Sequence, residues 1–176
     1  MKRNINLLLM LVATLFAACN NQQNEKEPVI AKKDTLVIKE NVVSLHNDQL
    51  NAIYQQYLLL SDALINSDLA AAKEASLAIE VGAKDMGNSV TLANLASKIT
   101  TAADIEKQRM LFSNLSNEMI AQVKAAGLKN GEVYVEYCPM ALNDKGAFWL
   151  SNKKEIRNPY YGESMMDCGE IKETLK

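Results

Sequence analysis

Residues 50–64, with the sequence LNAIYQQYLLLSDAL, decide the class of fold. Apolar side chains recur in this stretch every three or four residues, at Leu50, Ile53, Tyr57, Leu60 and Leu64. This spacing places them in one stripe along an α-helix, and such a stripe is buried against neighbouring elements. We therefore predict a first helix from about Ser44 to Ile65.

Three more amphipathic segments follow before Gly127. They predict an Ala-rich helix from about Asp68 to Met86, a shorter one through Leu92 and Ile99, and a last one from about Ala103 to Ala126. Sustained 3–4 spacing also occurs in coiled-coil dimers, but the capped breaks between these segments favour packing within one chain. The predicted fold is mainly α: an antiparallel bundle of about four helices over residues 41–127.

The composition changes after Gly127, where most of the glycines, prolines and aromatic residues lie. Alternating apolar residues predict a short strand at 133–137 and a second one at 147–150. Residues 128–176 are thus expected to form a two-stranded and loop-rich tail, packed on the bundle as part of the same domain. We expect the carboxylates of the tail to lie on a charged, solvated terminus: Glu163, Asp167, Glu170 and Glu173.

The N-terminus has the pattern of an export signal that ends at a cysteine. Lys2 and Arg3 precede an apolar run, and the small residues before Cys19 resemble the bacterial lipobox, whose cysteine receives a lipid after cleavage. We predict a lipoprotein signal peptide at 1–18 and a lipidated flexible tether at 19–40. A plain signal peptide is the alternative. The expected location is the cell envelope, facing the periplasm, with Asn20 favouring the outer membrane.

Composition limits the function classes. The net charge is −2, so a basic surface for nucleic acid is not expected. The chain has one histidine, His46, and lacks nucleophile-elbow, phosphate-loop and HExxH motifs, so we do not expect an enzyme. His46 is interpreted as a surface or capping residue, with a role as an extra metal donor as the alternative.

The remaining cysteines both lie beside methionines. Cys138 and Met140 form one pair, and Met165 and Cys168 form another. Thiolates and thioethers are soft donors that select copper(I) or silver, whereas zinc fits less well because it prefers Cys, His and carboxylate ligands. An exported protein with two cysteines also commonly forms a disulfide, so the disulfide, the metal site and free thiols all stay open.

The tail also resembles a known family. The matching residues are Tyr137–Ala141, Gly146, Trp149–Ser151, Asn158–Tyr160, Gly162, Met165 and Cys168–Gly169, with looser matches in the bundle such as Tyr57 and Arg109. They resemble the domain-of-unknown-function 3347 family of Gram-negative envelope lipoproteins, which also occurs at the end of periplasmic adaptors of heavy-metal efflux pumps. The resemblance implies copper or silver handling. The Tyr-x-Cys-Pro-Met stretch is also similar to a short metal-binding module that continues with His, where this chain has Ala141.

These observations predict a lipid-anchored soft-metal buffer or carrier associated with heavy-metal efflux, with Cys138, Met140, Met165 and Cys168 as ligands. Its expected partners are the membrane, through the lipid, and an efflux adaptor. The alternative is a disulfide-stapled helical module that binds another envelope component and carries no metal.

Overall fold

Four long helices dominate the computed structural model, which describes residues 41–176. They are α1 (Asp48–Ile65), α2 (Leu69–Asp85), α3 (Val90–Thr100) and α4 (Ile105–Ala126). Each helix packs against the next along the chain, and α4 also contacts α1. The predicted helical bundle is confirmed.

Side-chain caps set where three of the helices begin. Asn47 Oδ1 accepts from the Leu50 amide at 2.9 Å, Asp68 from Ala71 at 2.9 Å, and Asp104 from Lys107 at 2.7 Å. A cap of this kind satisfies an amide that has no partner within its helix. The first and last helices consequently begin later than predicted. The first does so also because Ser44–Leu45 is a short strand, β1, rather than helix.

The predicted apolar stripes form the core of the protein. All five stripe residues of α1 are buried, as are Phe112, Leu115, Met119 and Val123 on α4. Aromatic rings continue the core into the tail, because Tyr57 stacks on Phe112 at 5.3 Å and Phe112 meets Tyr160 at 5.7 Å between ring centroids. Helices and tail therefore share one apolar interior.

The tail forms a small antiparallel sheet in the order β4-β3-β5. Its strands are β3 (Val133–Cys138), β4 (Ala147–Ser151) and β5 (Glu170–Leu175). A separate pair joins β1 to β2 (Leu128–Asn130). The two predicted strands are confirmed, each extended by one residue.

Strand β5 was not predicted. Glu170 and Glu173 do remain exposed, but they lie on this third strand and pair with Lys172 and Lys124. The sequence EIKETL contains only two apolar residues and shows no clear hydrophobic face. Backbone hydrogen bonds with β3 hold β5 in place, and a side-chain pattern does not reveal such bonds.

Two tyrosine hydroxyls attach the outer edge of β4 to the rest of the core. Tyr57 Oη, from α1, accepts from the Leu150 amide at 3.0 Å, and Tyr160 Oη donates to the Phe148 carbonyl at 2.6 Å. Unpaired backbone groups on an edge strand are costly when buried. These bonds fix the position of the sheet against α1.

The predicted signal peptide at 1–18, the lipidation site Cys19 and the tether at 19–40 lie outside the described residues. Within residues 41–176, no helix is both long and apolar enough to span a bilayer.

Candidate functional site

The fold brings the Cys138 and Cys168 thiols together. Cys138 is the last residue of β3, and one residue, Gly169, separates Cys168 from the start of β5. Because β3 and β5 are antiparallel and Tyr137 pairs with Glu170, the two cysteines meet at the same end of the sheet. Both are free thiols; Cys138 is fully buried and Cys168 is half-buried.

The close approach changes the chemistry of Cys168. The pKa of the Cys168 thiol is raised to about 11, mainly by burial and also by its hydrogen bond and electrostatic interaction with Cys138. A backbone hydrogen bond at Met140 acts in the opposite direction. Cys168 is therefore protonated at neutral pH, and a soft cation that binds it must displace the proton.

The two predicted methionine ligands lie in the segments that carry the cysteines. The Met140 side chain is 44% exposed, and its backbone is close enough to Cys168 to form the hydrogen bond just described. Met165 ends a 3-10 helix at Gly162–Met165, and its carbonyl accepts from the Cys168 amide at 3.2 Å. Both methionines are thus neighbours of the thiol pair through the backbone.

His46 lies elsewhere. Its side chain is exposed, and its backbone amide donates to Gly127 at the C-terminal end of α4. The tail loop packs on the opposite half of α4, where Arg109 Nε donates to the Pro159 carbonyl at 3.2 Å. The fold therefore separates His46 from the thiol pair, in agreement with its interpretation as a surface residue.

Asn158 holds the loop that carries Cys168. Its Nδ2 donates to the Cys168 carbonyl at 2.8 Å, its amide donates to the Met166 carbonyl at 2.8 Å, and its Oδ1 accepts from the Tyr160 amide at 2.8 Å. Asn158 is fully buried. Asn158 is one of the tail residues that resemble the family, but the sequence pattern indicated no role for it. In the structure it positions the loop that carries Cys168.

Tyr161 connects the segment that carries Cys138 and Met140 to the loop that contains Asn158. Its hydroxyl donates to the Met140 carbonyl at 2.5 Å. Burial raises the pKa of Tyr161, and the nearby Cys138, Asp144 and Cys168 raise it further. The hydroxyl therefore remains a donor at neutral pH, and Tyr161 bridges the Cys138–Met140 turn and the Asn158 loop.

Arg109 fastens this loop to the bundle. Besides the bond to Pro159, its Nη2 donates to the Leu64 carbonyl and to Ser67 Oγ, both at 2.9 Å. Gly162 passes directly over the guanidinium with a φ of 56°, and a Cβ there would lie 2.6 Å from Nη2. A side chain at this position would displace the loop from Arg109.

Sequence reasoning missed Glu136, a buried carboxyl two residues before Cys138. Burial raises its pKa to about 8, and the cross-strand neighbour Trp149 opposes this shift. Apart from this interaction with Trp149, neither carboxylate oxygen has a hydrogen-bond partner among residues 41–176, and the nearby Tyr54 hydroxyl has none there. The alternation of side chains along a strand could have identified Glu136 as a neighbour of the site, because Glu136 and Cys138 lie on the same face of β3.

The donors around the thiol pair are soft. Across residues 41–176 no three or more His, Cys, Asp or Glu side chains come together in a group that could hold a metal ion. Two thiols suit a monovalent soft cation, and the same two thiols can also oxidise to a disulfide.

The fold and site define a helical-bundle protein whose small C-terminal sheet carries a partly buried thiol pair. The family model described as "Protein of unknown function (DUF3347)" matches residues 53–131, which confirms the resemblance to that family over this segment. The matched segment covers most of the bundle and ends before β3, so both cysteines lie beyond it. Comparisons with curated proteins and with solved structures gave no significant match.

Proposed function

We propose that Cys138, Met140, Met165 and Cys168 bind one copper(I) or silver ion, and that the protein is a soft-metal buffer or carrier of the cell envelope. The observation that supports this proposal is the antiparallel register of β3 and β5, which brings the Cys138 and Cys168 thiols to the same end of the sheet, close enough for one to affect the pKa of the other. Two thiolates supply charge and softness, which account for most of the affinity, while the thioethers complete the coordination.

The surroundings of the thiol pair favour a carrier. Cys138 is buried, whereas Cys168 is only partly covered and Met140 is 44% exposed. An ion held there is shielded on one side and accessible on the other. A lipid at Cys19 would keep the protein at the membrane facing the periplasm, where a heavy-metal efflux adaptor is the proposed recipient.

The test is a copper(I) titration of the reduced protein against a competing chelator. The Cys19→Ser chain is used, so that Cys138 and Cys168 are its only thiols. We expect one ion per chain, with tight binding abolished by Cys138→Ser or Cys168→Ser. Met140→Leu and Met165→Leu retain volume and apolarity, and they should weaken binding by a smaller factor.

Met166→Leu is the matched control, because Met166 adjoins Met165 but is not assigned as a ligand. It should bind copper(I) like the parent protein. Equal binding by the reduced parent and the double Cys→Ser variant would refute the metal site.

The second candidate is a disulfide-stapled interaction module of the envelope. The same thiol proximity supports it, since a disulfide needs the two sulfurs close together. Thiol labelling of the exported protein separates the candidates: blocked thiols that a reductant releases favour the disulfide, and labelled thiols favour the metal site. The disulfide would close a loop of about 30 residues and contribute roughly 3 kcal/mol.

A further inference from the structure

A long apolar groove runs between the outer faces of α1 and α2. Its larger section has a volume of about 630 Å³, and a second section of about 400 Å³ continues toward the turn that joins the two helices. The sections share Gln56 and Glu74. Since α1 has 18 residues, a groove along it is about 27 Å long at 1.5 Å per residue.

Exposed aliphatic side chains form the walls of this groove. Leu59 is 55% exposed, Leu77 is 49% exposed and Val81 is 51% exposed. Small residues such as Ala52 and Ala78 line the space between them. A contiguous exposed apolar surface of this kind is typical of an interaction site, and small residues let a partner's backbone approach closely.

The charged residues that line the groove all have the same sign. Asp62, Asp68, Glu74 and Asp85 lie along it, and neither section has a lysine or arginine among its lining residues. The complementary partner is therefore apolar along its centre and cationic along its sides.

From this complementarity we infer that the α1–α2 groove is the docking site of a cationic amphipathic helix from another protein. A helix of about 18 residues matches the length of the groove. Its apolar side chains, recurring at i, i+3, i+4 and i+7, pack against Leu59, Leu77 and Val81. Its flanking lysines or arginines face the four carboxylates.

Charge also argues against two other occupants, a second copy of the chain and an anionic membrane surface. A second copy bound symmetrically through the same face would place the acidic sides of two grooves against each other. An anionic membrane surface would be repelled by the same carboxylates. The lining residues all belong to α1, α2 and the turn between them, and none belongs to the segments that carry the thiol pair, so this inference does not rest on metal binding.

The test uses a synthetic 18-residue peptide with a leucine stripe at helical spacing and lysines on both flanks. One control peptide replaces every lysine with glutamate, and another keeps the composition but scrambles the stripe. Binding to the Cys19→Ser chain is followed by amide chemical shifts in NMR titrations. We expect shifts confined to α1 and α2, and binding at least tenfold weaker for both control peptides.

Variants of the protein then test whether the peptide binds in the groove. Leu77→Glu and Val81→Glu should each weaken binding at least tenfold, because a charge replaces an apolar contact. Val90→Glu on α3 is the matched control, since Val90 is 65% exposed and outside the groove, and it should bind like the parent. Circular dichroism checks that all three variants remain folded.

Three results would overturn the inference. The first is equal binding of the three peptides, or unchanged binding by folded Leu77→Glu and Val81→Glu proteins. The second is a concentration-dependent dimer that Leu77→Glu dissociates, which would assign the groove to a second copy. The third is groove-dependent sedimentation with vesicles of anionic phospholipid, which would assign it to a membrane.

Discussion

The Asn158 side chain donates from Nδ2 to the backbone carbonyl of Cys168 at 2.8 Å. The bond connects the loop that Arg109 fastens to the bundle with the residue that completes the thiol pair. The position of Cys168 therefore depends on a buried polar contact as well as on strand pairing.

Replacing Asn158 with Ala should disturb the loop that carries Cys168 while the protein as a whole still folds. The change leaves the partly buried Cys168 carbonyl and the buried Tyr160 amide without their side-chain partner, and the buried amide alone should cost about 1–3 kcal/mol. Urea unfolding should show the loss of stability, and the reduced variant should bind copper(I) more weakly. Asn114→Ala, at an exposed site on α4, is the control. Full stability and affinity in Asn158→Ala would contradict the positioning role.

Glu136 should make the free energy of unfolding of the protein fall as the pH rises. Its pKa is about 8 in the folded protein against an ordinary value of 4.5, so the folded state holds the proton more tightly than the unfolded chain. Stability from this group is complete below pH 4.5 and is lost between pH 4.5 and 8, by up to about 1.4 kcal/mol per pH unit.

Glu136→Gln should remove this dependence, because glutamine stays neutral. The variant should resemble the parent protein at pH 5 and be the more stable of the two at pH 8 in thermal unfolding. Glu155→Gln, at an exposed carboxyl, should leave the parent's pH profile unchanged. A Glu136→Gln profile that falls as steeply as the parent's would show that the pH dependence has another source.

Arg109→Lys should destabilise the protein although the positive charge is kept. A lysine ammonium cannot reproduce the planar guanidinium that reaches Leu64, Ser67 and Pro159 together. Each buried carbonyl left unpaired costs roughly 1–3 kcal/mol in urea unfolding. Glu106 is an exposed partner of Arg109, so Glu106→Gln should cost less than about 1 kcal/mol. Similar losses for the two variants would argue against this network.

Leu60 and Leu59 provide an adjacent buried and exposed pair on α1. Leu60→Ala should cost roughly 2–5 kcal/mol, because Leu60 is fully buried in the core. Leu59→Ala should stay within about 0.5 kcal/mol, since Leu59 is 55% exposed. Chemical unfolding of both variants measures the difference, and equal losses would be inconsistent with the packing of α1.

Cys19→Ser should release the protein from the membrane fraction. The prediction rests on the lipobox-like residues before Cys19, because the several acyl chains of a bacterial lipoprotein hold firmly whereas a single chain holds weakly. Fractionation and intact-mass measurement check it, with Cys168→Ser as the control that keeps the lipid. Unchanged fractionation together with no lipid-sized mass difference would exclude lipidation.

The helices could be predicted from the sequence alone, because helix formation depends on residues that are close along the chain. Apolar spacing identified the buried stripes of α1 and α4, and cap residues such as Asp68 located helix ends to within a few residues. The two strands with a visible apolar pattern were equally predictable. The sequence also singled out the two cysteines as a candidate pair.

The remaining features depend on contacts between residues that are far apart along the chain. Strand β5 is ordered by pairing with β3, and that pairing carries Cys168 to Cys138. Asn158 and Arg109 gain their roles from carbonyls far along the chain, and Glu136 becomes neutral because the surrounding core removes water from it. Such interactions leave no periodic trace in the sequence, since backbone groups are the same at every residue and burial depends on the whole fold.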